Sequence, residues 1–209
     1  MYNRRKFFKK TVLALPGFYL GARWSSAAVA KTLLPQVDLK FISSQMDFMP
    51  RREWTNEQPK YWLMREAETH KRLTLHHDGN SINYHTEKNA VIHDLDGVLA
   101  GHIKRKYGDI GYHFIVDYTG RVWEGRSLAY EGAHVLNENE KNIGVMLMGN
   151  FEEQQPSPEQ LSSMKKVVDL LARQYKMKKQ NVYGHCDLGQ TACPGKNLYS
   201  YVKKLSVKG

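Results

Sequence analysis

Tyr183-Gly184-His185-Cys186-Asp187-Leu188-Gly189-Gln190-Thr191-Ala192-Cys193-Pro194-Gly195 holds both cysteines of the chain and a histidine eight positions before the second of them. Imidazole and thiolate together suit zinc better than the other common ions. Val182 and Tyr183 form an apolar lead-in, so a strand should end near His185, and Gly189, Pro194 and Gly195 force a tight, non-repetitive loop after it. Such a loop can bring Cys193 back beside His185. Two ligands do not make a site, so a third must come from upstream. A Cys186–Cys193 disulfide is the competing use of the thiols, and it would consume the thiolate that a metal needs.

Among the nine histidines, His70, His85, His93 and His102 lie in polar or helical contexts where an exposed or singly hydrogen-bonded imidazole is the default. The pair His76-His77 differs, because it ends an apolar strand, Arg72 to His77, that runs into the turn Asp78-Gly79-Asn80. Adjacent strand residues face opposite sides, so only one of the two can face a given site. The same alternation turns Cys186 away if His185 faces the metal. That argues against a closed four-ligand structural site. Three protein ligands with one open position is the arrangement of a catalytic zinc.

The elements that must position these groups can be read in order. Residues 31 to 49 show little periodicity and read as an irregular lead-in. Thr55 to Lys60 is a polar loop. A helical face (Val91, Ile92, Leu95, Val98, Leu99, Ile103) runs from about Glu87 to Lys106. Gly111 to Val116 and Arg121 to Glu124 read as a hairpin around Tyr118-Thr119-Gly120, and Asn142 to Met148 as a central buried strand. Ser157, Pro158 and Gln160 form the start signal of a helix whose apolar face is Leu161, Met164, Val167, Val168, Leu171 and Tyr175. A strand Asn181 to His185 and a short helix Leu198 to Leu205 complete the chain. This order implies an α/β single domain, a central mixed β-sheet flanked by helices.

Length and composition agree with that reading. A chain of 209 residues suffices for one domain with a real core. The net charge of +10 hints at nucleic acid, but residues 1–30 contribute +6 with no acid. The remaining 25 basic and 21 acidic residues contain no long basic run, so no nucleic-acid partner is expected. Residues 1–30 themselves read as an export signal: Arg4-Arg5-Lys6-Phe7-Phe8-Lys9, an apolar stretch Thr11 to Leu20, then Ala28-Val29-Ala30. The leader resembles a bacterial twin-arginine signal, which a receptor reads and which does not anchor; a disordered basic tail and an uncleaved signal anchor are the alternatives. Its apolar run is shorter than the roughly 20 residues needed to span a bilayer. The expected mature protein starts near Lys31, is periplasmic or secreted, has no stable membrane span and is a monomer.

Seven stretches, in order, then resemble one family, the type 2 N-acetylmuramoyl-L-alanine amidases, whose fold is shared by phage lysozyme-amidases and peptidoglycan recognition proteins. They are Arg52-Glu53-Trp54, Leu75-His76-His77, Asp109-Ile110-Gly111-Tyr112-His113-Phe114, Gly120 to Arg126, Gly132-Ala133-His134, Asn142 to Val145 with Gly149-Asn150-Phe151, and Tyr183 to Gly195. The resemblance implies an amidase domain over residues 50–205, after a lead-in 31–49 and before a tail 206–209. It implies Zn2+ held by His76, His185 and Cys193, with His77 the structural member of the pair. It places Tyr112 and Thr191 in catalysis, and His134, Arg126 and His77 along the substrate groove. Arg126 could equally hold Glu124 or a loop in place. The implied reaction is hydrolysis of the amide between the lactyl group of N-acetylmuramic acid and L-alanine in peptidoglycan. Cys186 stands where an arginine is frequent, and no position clearly supplies the glutamate base of the cytosolic branch. A non-catalytic peptidoglycan-binding module and an exported antibacterial amidase are the alternatives.

Overall fold

The computed structural model describes residues 39–207; the leader, its cleavage pattern and the first residues of the lead-in lie outside that range. Ten regular elements follow one another: α1 (Leu39–Gln45), β1 (Phe48–Met49), β2 (Arg72–His77), α2 (Lys88–Lys104), β3 (Phe114–Val116), β4 (Val122–Glu124), β5 (Asn142–Leu147), α3 (Pro158–Gln174), β6 (Val182–Gly184) and α4 (Lys196–Val207). The six strands form one mixed sheet in the order β1-β4-β3-β5-β2-β6. β2 runs parallel to both β5 and β6, β5 parallel to β3, and only the β3–β4 hairpin is antiparallel.

Side-chain alternation along β2 and β5 separates two apolar layers. Leu73, Leu75, Ile143, Val145 and Leu147 enter one cluster with Met164, Val167, Val168 and Leu171 of α3 and Leu198 and Val202 of α4. Met146, Ile115 and Trp123 enter the other, with Val91, Leu95 and Leu99 of α2. His76 follows Leu75, so it points to the α2 side of the sheet, and His77 to the α3–α4 side. Both stand at the carboxyl end of a central parallel strand, the edge where open α/β sheets place their sites.

The helix start read at Ser157 is present in full. Ser157 Oγ accepts the Gln160 N–H at 2.9 Å and Gln160 Oε1 accepts the Ser157 N–H at 3.1 Å. Two expectations shift. The lead-in, read as irregular, forms α1 and the edge strand β1, because Ile42, Met46 and Phe48 bury into the α3–α4 cluster. Strand pairing begins at Phe114, not Gly111, because Gly111 and Tyr112 bond outside the ladder, while the His113 N–H already reaches the Gly144 carbonyl of β5. The Gly111 N–H goes to His102 Nδ1, and the Arg126 N–H comes to the Tyr112 carbonyl.

Candidate metal centre

His76 is the penultimate residue of β2, His185 opens the turn that follows β6, and Cys193 lies in the loop before α4. One ligand atom from each of the three falls within 4.8 Å of the other two. Cys193 Sγ is 3.5 Å from His76 Nδ1, and the His76 and His185 ring centroids are 4.7 Å apart. Two ligands bound tetrahedrally to one Zn2+ at usual Zn–S and Zn–N lengths stand about 3.6 Å apart. The donor set and its spacing therefore fit that ion. His185 begins a short helical turn, so strand alternation does not govern Cys186, but Cys186 still stays out of the group. Both thiols are free, and the Cys186 N–H bonds the Cys193 carbonyl at 2.8 Å, bracing the loop.

A chain of hydrogen bonds sets the His76 tautomer. His134 Nε2 lies 3.2 Å from the Asn142 carbonyl, which can only accept, so that nitrogen carries the proton. His134 Nδ1 is then the acceptor for His76 Nε2–H, 3.0 Å away. His76 Nδ1 is left with its lone pair toward Cys193 and His185. Metal-binding histidines are commonly held by such a second bond, which fixes ring and tautomer. Space for the His134 ring depends on two glycines. A Cβ at Gly132 or Gly144 would come within 2.3 or 2.5 Å of His134 Cδ2.

The electrostatics favour neutral imidazoles. Burial, followed by the neighbouring rings of His134, His185 and His77, holds His76 well below the usual histidine range. Burial pushes His134 down to about 3 and lowers His185. The Cys193 thiol is pushed up to about 12, again chiefly by burial, so it would ionise only with a cation beside it. Tyr112 packs 5.1 Å from the His76 ring, and burial, then the charges of Cys193 and Asp78, raise its hydroxyl. It stays a proton donor. Thr191 is exposed, and its Oγ1 accepts the Cys193 N–H at 3.1 Å.

Three residues assigned to the groove stand in surroundings of their own. Arg126 is 3% exposed, and its N–H groups reach the carbonyls of Ile110, Glu131, Tyr107 and Asp109 at 2.7–3.2 Å. It ties two loops together, as one of the two structural roles read for it has it, and Glu124 is not among its hydrogen-bond partners. His134 is buried behind His76, with its Nδ1 on His76 Nε2. His77 is buried on the opposite face, where its Nδ1 accepts the Phe151 N–H at 3.2 Å. His70 and His102, expected as exposed or singly hydrogen-bonded imidazoles, are of the second kind: they are buried, at 1% and 7% exposure, with His70 Nε2 on the Leu128 carbonyl and His102 Nδ1 accepting the Gly111 N–H. Replacing Arg126 by leucine should leave these buried carbonyls without a donor and cost about 3–5 kcal/mol of unfolding free energy in chemical denaturation. A groove role would instead raise KM and leave stability unchanged.

Residues 66–196 match the family model described as N-acetylmuramoyl-L-alanine amidase. A peptidoglycan-recognition protein of Drosophila simulans is 32% identical over 111 residues, 53% of this chain and 61% of that protein. Among solved structures, the ectodomain complex of peptidoglycan recognition proteins LCa and LCx bound to tracheal cytotoxin superposes with a TM-score of 0.69 at 27% identity, over 76% of this chain and 96% of that one. The amidase LysC of Clostridium intestinale shares the fold, with a TM-score of 0.61 at 23% identity over 77% of this chain and 98% of that one. With its family model spanning well over half of the sequence, the chain belongs to the N-acetylmuramoyl-L-alanine amidase family.

Proposed function

We propose that this protein is a zinc-dependent amidase that cleaves the bond between N-acetylmuramic acid and L-alanine in peptidoglycan. The observation that carries this reading is the meeting of His76 Nδ1, His185 and Cys193 Sγ, from three separate segments, at spacings suited to one Zn2+. A bound Zn2+ supplies a Lewis acid and water that ionises near neutral pH. The residues do the positioning. His134 holds the His76 lone pair on target. Tyr112, whose hydroxyl keeps its proton, donates to the substrate carbonyl oxygen as negative charge develops there. One such donor is typically worth about 3–4 kcal/mol. The Thr191 hydroxyl accepts from the backbone and has its own proton left to orient the attacking water or the carbonyl.

The second reading is recognition without cleavage, favoured by relatives whose names are those of recognition proteins. The three-ligand cluster argues for the enzyme, because binding a polymer requires no such constellation. Mass spectrometry of muropeptides digested with the protein, with and without chelator, separates the two. Free glycan and intact stem peptide, lost with chelator, is the expected result. Cleavage between sugars or within the peptide contradicts it, and binding to sacculi with no product leaves the recognition module. The twin-arginine-like leader supports action outside the cytoplasm, as a periplasmic or secreted protein. Among the described residues no helix is long and apolar enough to cross a membrane.

A further inference from the structure

Charge is distributed unevenly along this chain. Residues 160–209 hold ten basic and two acidic side chains, +8, whereas residues 31–159 hold 15 basic and 19 acidic, −4. Both acids of the basic segment are engaged locally. Asp169 pairs with Lys165, and Asp187 accepts the Gly184 N–H and the Tyr199 hydroxyl. The fold gathers much of the excess in one place. The last turn of α3, the 176–181 connection and α4 pack on one apolar cluster through Tyr175, Met177, Tyr199, Tyr201 and Leu205. Over that partly buried rim stand Arg173, Lys176, Lys178, Lys203 and Lys204, all exposed. The Lys203 and Lys204 ammonium groups lie 4.7 and 5.1 Å from the ring centroids of Tyr199 and Tyr201.

We propose that this basic, tyrosine-containing face docks on an anionic phospholipid surface. Three features favour a planar bilayer over a discrete anion or an extended polymer. The cations are spread over two helix segments and a turn, not gathered on one loop. Residues 160–209 carry +8, so the cations of this face are not offset by acids of their own segment, as attraction to a flat negative surface requires. Half-buried tyrosines under lysines suit the headgroup level, where amphipathic rings and flexible cationic stems both settle. Juxtamembrane lysines and arginines each favour an anionic leaflet, and the attraction is screened by salt.

The test is flotation with vesicles of phosphatidylcholine alone or mixed with phosphatidylglycerol. It uses the full chain and, because the leader is itself basic, also residues 31–209. That shorter protein keeps every residue of both apolar clusters, which lie between Ile42 and Leu205. The expected result is flotation only with phosphatidylglycerol, weakened by salt. It should fall about tenfold or more in a protein carrying Lys176→Gln, Lys178→Gln, Lys203→Gln and Lys204→Gln. A control with the same loss of charge, Arg52→Gln, Lys71→Gln, Lys88→Gln and Lys104→Gln, should still float. Thermal melting followed by circular dichroism verifies that both variants are folded. Equal loss in the two variants, unchanged flotation of the first, or no flotation of residues 31–209 overturns the proposal. Loss of sacculus binding in the first variant without any vesicle binding would do so too, assigning the face to the wall polymer. The vesicle readout does not depend on the amidase reading.

Discussion

The Cys193→Ser protein is expected to keep its fold and to lose both tight zinc binding and stem-peptide release, the latter by about 1000-fold or more, as when several kcal/mol of transition-state stabilisation are removed. The loop carrying Cys193 does not depend on its sulfur. The Cys193 carbonyl accepts the Cys186 N–H, its own N–H goes to Thr191 Oγ1, and the Gly195 N–H closes on the Ala192 carbonyl. The sulfur contributes what backbone cannot, an anionic soft donor 3.5 Å from His76 Nδ1. A serine hydroxyl at that position is a poor ligand for zinc. Metal content after dialysis, thermal melting and muropeptide release are the three measurements. Full stem-peptide release by the serine protein would sink the proposed metal chemistry outright. A His134→Ala protein should fall between the two, with zinc affinity reduced about 10- to 100-fold, because it removes the support and not the ligand.

Much of this architecture is legible in the residues. The helix after Ser157 announces itself because cap, proline and apolar spacing all agree. The run Ile143, Val145, Met146, Leu147 can only be a strand buried on both faces. His76 and His185 stand out because each lies at the end of an apolar strand, and Cys193 because cysteine is scarce and sits in a Gly/Pro-bounded loop. What the residues conceal is which side chain stands behind which. A histidine before a β-strand gives no sign that its ring will support another histidine; the one local signal is small residues, Gly132 and Gly144, where a ring must fit. Arg126 is ambiguous in the sequence because its partners are carbonyls of loops 107–110 and 131, and carbonyls carry no sequence signature. Helix α1 is equally hard to foresee, because its few apolar residues follow no visible period until β1 and α3 give them a surface to cover.

Two histidines outside the metal group should make the protein sensitive to acid, and they show how deeply the fold relies on neutral imidazole. His113 Nδ1 accepts the Gly144 N–H at 3.0 Å while its Nε2 faces the Tyr130 carbonyl at 3.0 Å. His102 Nδ1 accepts the Gly111 N–H at 2.9 Å. A proton on either Nδ1 would set donor against donor. Burial is the largest cause and lowers both groups, His113 well below its usual range; burial, with Arg105 and Arg126 nearby, takes His102 to about 4. The folded state thus binds fewer protons than the unfolded chain below about pH 6.5, so stability falls as pH falls. The loss from His102 runs from about pH 6.5 to its folded value near 4 and amounts to at most about 3 kcal/mol, while that from His113 continues to lower pH. Asp109 acts in the opposite sense, because burial raises its carboxyl and proton uptake there favours the folded state at low pH. Comparison with a His102→Gln protein isolates the histidine contribution, since glutamine can still accept the Gly111 N–H and does not titrate. Guanidinium denaturation of chelator-treated protein between pH 7 and 4 should give a shallower decline for the variant than for the parent chain. Parallel declines would show that protonation of His102 is not coupled to unfolding and that the buried acceptor geometry assigned to it is wrong.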